Sequence, residues 1–145
     1  GAGVLAGETT EIAAALEAWA VRPGDRGLLG QALSRVRALR GVAAIKDVPP
    51  LADVMDAVER AAKPVELGRD ASAAQQALLA AAAAVLRRAT GELRAGGRPD
   101  PSSVEVRRFA DAAAAAEESL AESDAIVPIA SNWSLPVDSE GPTSR

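Results

Sequence analysis

Apolar positions recur every three or four residues along most of the chain, the spacing of one face of an α-helix. In the first such stretch, residues 9–21, Ile12, Leu16, Trp19 and Ala20 form one stripe, with Thr9 or Thr10 placed to cap it and Pro23 and Gly24 to end it. A second segment is predicted from Asp25, its N-cap, to Ile45, on the repeat Leu29, Leu33, Val36, Leu39 and Ala43. A third starts at Pro50 or Leu51, carries Leu51, Val54, Met55, Val58 and Ala62, and stops before Pro64. A fourth follows Asp70, read as its N-cap, with Leu78, Leu79, Ala82, Val85, Leu86, Ala89 and Leu93 on one side. The run AGGRPDP closes it. A fifth begins near Ser102 or Ser103 and aligns Val106, Phe109, Ala113, Ala116 and Leu120. Its ADAAAAAEE stretch has two readings, helix propensity and close helix approach, of which the first is favoured.

Past Ser123 the pattern fades. DAIVPIASNWSLP reads as extended, with Trp133 either anchoring this tail to the helices or meeting a partner, and VDSEGPTSR as disordered. Short links between successive amphipathic helices favour antiparallel neighbours. The expected fold is therefore all-α: residues 1–8 flexible, an up-down four-helix bundle with a fifth helix appended over 9–122, and an extended tail over 123–145.

Composition supports the helical reading. Of the 145 residues 48% are hydrophobic but only 2% aromatic, and a core of Ala, Leu and Val suits helices better than sheets. The net charge of −4, with both signs mixed, argues against general nucleic-acid binding, which needs a basic face to neutralise phosphates. With no cysteine and no histidine, thiol chemistry, disulfides and the usual metal ligands are excluded, as is the usual general base near neutral pH. No apolar run is long enough to span a membrane, and GAGVLAGE has no basic leader. Gly1 in place of Met points to a module of a larger protein.

The stretch VRALRGVAAI raises a sharper question. A glycine inside a helix costs about 1 kcal/mol against alanine, and Gly41 is expected inside the second helix. The longer run RVRALRGVAAIKDVPPLADVMDAVE, residues 35–59, resembles the central motif of histidine phosphotransfer (HPt) domains, which read His-x-Leu-Lys-Gly on one helix and Leu-x-x-x-x-x-x-Leu-Glu on the next. The matching residues are Arg37, Ala38, Leu39, Arg40 and Gly41, then Leu51 to Glu59. The segment DAIVPIASNWSL is also similar to the tail after HPt domains of chemotaxis-type histidine kinases.

The resemblance implies a bundle that presents the second helix to a receiver or kinase domain. Gly41 then keeps the docking face open. Arg37 stands where the family has its phospho-accepting histidine, and a guanidinium with a pKa above about 12 is no nucleophile at neutral pH. The resemblance thus implies a cytoplasmic, non-catalytic signalling module without phosphotransfer, cofactor or metal. Arg37, Arg40 and Gly41 form its partner-docking spot. Alternative readings are a solvated face on which the arginines pair with nearby acids, an unrelated helical dimerisation or spacer domain, a carboxylate or metal enzyme, and phosphotransfer through Ser34 or an acid. Glu117, Glu118 and Glu122, or Asp53 and Asp56, are the acids such an enzyme would use; as isolated acids on helix faces they are read as solvated.

Overall fold

The structure is a computed structural model that describes residues 2–42 and 48–132, with side chains over 3–42 and 48–121. Five helices follow one another: α1 (Ala2–Val21), α2 (Arg26–Arg40), α3 (Pro49–Glu66), α4 (Ala73–Arg94) and α5 (Val104–Asn132). There is no strand among the described residues. α1 packs on α2, α2 on α3, α3 on α4 and α4 back on α1, which closes a ring of four; α5 lies outside it, against α4 and more thinly against α3. Cross-links between neighbours run in opposite chain directions, as Arg37 to Glu66 and Arg40 to Asp56 do between α2 and α3. The bundle is up-down, as the short links demand.

The predicted stripes point inward. Ile12, Leu16, Trp19, Leu33, Leu39, Leu51, Met55, Leu78, Leu79 and Leu86 are fully buried. Trp19 also donates its indole N–H to the Pro23 carbonyl at 3.2 Å, which ties the α1–α2 loop to the core. In the alanine run of α5, Ala114 and Ala115 are exposed, Ala112 and Ala113 half-buried and Ala116 buried. The run therefore serves both readings: Ala112, Ala113 and Ala116 pack against the bundle, and the exposed alanines serve helix propensity.

Several boundaries differ from the sequence expectation, each for a local reason. α1 begins at Ala2, not Thr9, so residues 2–8 are helical. Ala6 is buried and starts the inward face one turn earlier. Thr9 is not a cap; it is fully buried inside the helix and meets Thr90 of α4 at 2.6 Å, oxygen to oxygen. A consistent proton assignment exists: Thr9 donates to Thr90, Thr90 to the Leu86 carbonyl at 2.9 Å and Thr10 to the Ala6 carbonyl at 2.9 Å. Every hydroxyl proton then has an acceptor, which is what makes the burial tolerable.

α2 ends at Arg40 with Gly41 as its C-cap. The glycine is therefore at a helix end, not in its middle, and the interior penalty does not arise. Ala43 and Ile45, expected in the same helix, lie outside the described residues. α3 continues through Pro64 to Glu66, because Val65 is buried and extends the apolar face. The ring of Pro64 removes the N–H that would have met the Arg60 carbonyl. Beyond it, Gly68 N–H reaches the Val65 carbonyl and Arg69 N–H the Pro64 carbonyl, at 3.0 and 2.9 Å, with Gly68 at φ 92°. This is a Schellman end, and α4 closes in the same way through Gly96 and Gly97.

α4 is capped by Ser72, not Asp70. Ser72 Oγ accepts from Gln75 N–H at 3.1 Å and the Gln75 side chain accepts from Ser72 N–H, a full capping box. Gln75 also donates to the Ala61 carbonyl at 3.3 Å, joining α4 to α3. α5 runs to Asn132, so 123–132 continue the helix rather than forming an extended tail. Trp133 and 134–145 lie outside the described residues, as do the side chains of the VPI segment and Glu122.

Two glycines give a paired prediction. Gly68 sits in the left-handed region, where a Cβ is disfavoured by about 1–2 kcal/mol. Gly41 has φ −73°, and a Cβ there would sit 3.4 Å from the Ala38 carbonyl oxygen, an ordinary contact. Urea unfolding of Gly68→Ala is expected to show a loss of about 1 kcal/mol, and Gly41→Ala a change within about 0.5 kcal/mol.

Across α1 and α4, Arg87 grips Glu17 with two hydrogen bonds, Nε at 3.1 Å and Nη2 at 2.6 Å. The hydrogen bond from Arg87 holds the Glu17 carboxyl below its usual pKa, against a smaller desolvation effect. A carboxyl with a lowered folded pKa stabilises the fold above its unfolded pKa and loses that contribution as pH falls through the folded value. Both side chains are about half exposed, so the pair contributes only about 0.5 kcal/mol. Glu17→Gln should therefore lower the unfolding midpoint slightly at pH 7 and leave it unchanged at pH 2, read by urea titration at the two pH values.

Candidate partner-docking site

The site expected from sequence lies on α2 and is built by helix geometry. Gly30, Ser34, Arg37 and Gly41 follow at intervals of four, three and four residues, which puts them on one line. All four are exposed, as are Ala38 and Arg40 beside them. The opposite side of α2 is Leu29, Ala32, Leu33, Val36 and Leu39, all buried. The outward line is thus a ridge of small residues broken by one long cation. An open groove runs along each flank. One is lined by Arg26, Leu33, Ser34, Arg37 and Glu66, the other by Glu8, Gln31, Ser34, Arg35 and Ala38.

Arg37 and Arg40 do not stand alone. Arg40 Nη1 lies 2.9 Å from Glu59 Oε1, and its Nη2 3.1 Å from Asp56 Oδ1. Arg37 is held more loosely, 3.5 Å from Glu66 and 4.0 Å from Glu59. Two cations thus face three acids across the α2–α3 seam, and the patch is not a net positive spot. The solvated-face alternative describes this pairing correctly.

The two arginines differ in kind. The guanidinium pKa of Arg40 is raised, chiefly by its close contact with Glu59 and then by the charges of Glu59 and Asp56. Glu59 Oε1 is buried without an aligned hydrogen bond. Arg40 Nη1 reaches it as a counter-ion, off the N–H direction. Arg40 therefore holds a half-buried acid in place, while Arg37, half exposed and loosely paired, is the freer group. Glu59 ends the 35–59 stretch and is legible in the sequence. Glu66 is not, because its pairing depends on α3 running past Pro64.

The other acids are scattered. Glu117 pairs with Arg60, Asp56 belongs to the Arg40 contact, and Asp53 and Glu118 are exposed. Among the described residues no three acids gather where they could hold a metal ion. No described helix is long and apolar enough to cross a membrane. No family model, no curated protein and no solved structure matches the chain.

Proposed function

We propose that this chain is an HPt-like signalling module of a larger two-component or chemotaxis-type protein, which docks a receiver or kinase domain and does not carry phosphate. The observation that carries the reading is the placement of Arg37. It projects from the exposed ridge of α2, beside Glu59 of α3, on a closed four-helix ring. That is where the motif in 35–59 would put a phospho-accepting histidine. Small neighbours at Gly30, Ser34 and Gly41 let a partner approach the ridge closely.

Docking would draw on Arg37 more than on Arg40. Exposed ion pairs are worth about 0–1 kcal/mol, so Arg37 can exchange Glu66 for an acid of the partner at little cost. Arg40 is committed to Glu59. The guanidinium at position 37 has no usable lone pair, so the module binds without accepting a phosphoryl group.

Calorimetric titration against receiver domains from the same organism tests this. Binding by the wild type, weakened at least about tenfold by Arg37→Glu, is the expected result; a tenfold loss corresponds to about 1.4 kcal/mol. Absence of binding by the unaltered chain would favour the alternative, a helical spacer or dimerisation domain. Uptake of phosphate by the unaltered chain would overturn the account of Arg37.

A further inference from the structure

α5 is attached unevenly. Its start is fixed at the α4–α5 loop: Arg88 of α4 reaches Glu92 at 3.3 Å and Glu105 at 3.2 Å. Asp100 N–H donates to Glu92 at 3.2 Å, and Ser103 Oγ accepts from Val106 N–H at 3.1 Å. Further along, the grip thins. Among residues 104–121 only Phe109 and Ala116 are buried apolar side chains, whereas α4 buries eight. Between α3, α4 and the far part of α5 lies a cleft of about 30 Å³, lined by Ala57, Ala61, Leu78, Ala113, Ala116 and Leu120. Small side chains leave it unfilled. One exposed ion pair, Arg60 to Glu117, bridges its mouth. Meanwhile α1 to α4 complete their own ring without α5.

We infer that α5 is a strap hinged at residues 95–103, which opens as a unit while α1–α4 stay folded, and that opening uncovers the α3–α4 seam at Ala57, Ala61 and Leu78. Elements with few buried apolar contacts open at lower free energy than the core they lie on. Among the described residues, the hinge end is anchored by charge, capping and Phe109 just past it, and the stretch beyond by small side chains (Ala112, Ala113 and Ala116), Leu120 and one exposed ion pair. Among the described residues of α5, Phe109 is the largest buried side chain.

Amide hydrogen exchange on the full chain tests the strap. The amides of 108–121 should exchange together, at least about tenfold faster than those of 79–89 in α4. Phe109→Ala should speed the first group about tenfold further and leave the second group and the main unfolding midpoint unmoved. Three results would overturn the inference. One is a common rate for both groups. Another is an even acceleration of both by Phe109→Ala. The third is a gradient in which only the far end of α5 exchanges fast, which is fraying rather than opening.

Discussion

Trp19→Ala should destabilise the protein by about 3–5 kcal/mol, the range for removing a large aromatic from a core. Trp19 is 1% exposed and is the largest fully buried side chain. It sits in the last turn of α1, where its ring fills the end of the bundle and its indole N–H holds the Pro23 carbonyl. Alanine removes the ring and leaves that carbonyl without its donor. Trp19→Phe separates the two effects: it keeps most of the apolar volume and loses only the hydrogen bond, so it should cost much less. Chemical denaturation read by circular dichroism gives both values. A small domain holds only about 5–15 kcal/mol in all, so the alanine variant should lie near the edge of folding at 37 °C.

Leu86→Ala comes next, with an expected loss of about 2–5 kcal/mol. Leu86 is fully buried on α4, the helix that packs against α1, α3 and α5. A cavity there has rigid neighbours on several sides and cannot close by shifting one of them. The carbonyl of Leu86 also accepts from Thr90, so any backbone relaxation would disturb the buried threonine pair. Urea unfolding should show a lower midpoint with an unchanged slope. A loss under about 1 kcal/mol would mean that the core collapses around the gap and is looser than its burial implies.

Much of this core could be read from periodicity. Each inward stripe of the ring was visible because a helix buries every third or fourth residue, whatever it packs against. Helix ends were less legible. Pro64 looks like a terminator, yet the buried Val65 beyond it keeps α3 going. Asp70 has the chemistry of a cap, but the Ser72–Gln75 pair two residues on has the spacing of a capping box and takes the role. Thr9 resembled a cap because threonine suits that role; only its partner 81 positions away explains it as a buried residue.

The candidate site divides in the same way. Helix spacing alone places Arg37 on an exposed face with Ser34 and Gly41. The acids opposite depend on how α3 lies against α2, and no local pattern reports that. Glu59, Asp56 and Glu66 turn an expected cationic spot into a paired seam with one committed and one free arginine.

The most direct test of the central claim is a map of amide chemical shifts on the labelled chain as an unlabelled receiver domain is added. The account predicts shifts gathered on residues 30–41 of α2 and on the facing positions 56–66 of α3, with α1 and α5 unaffected. Shifts centred on another face of the bundle, or none with any receiver tested, would contradict it.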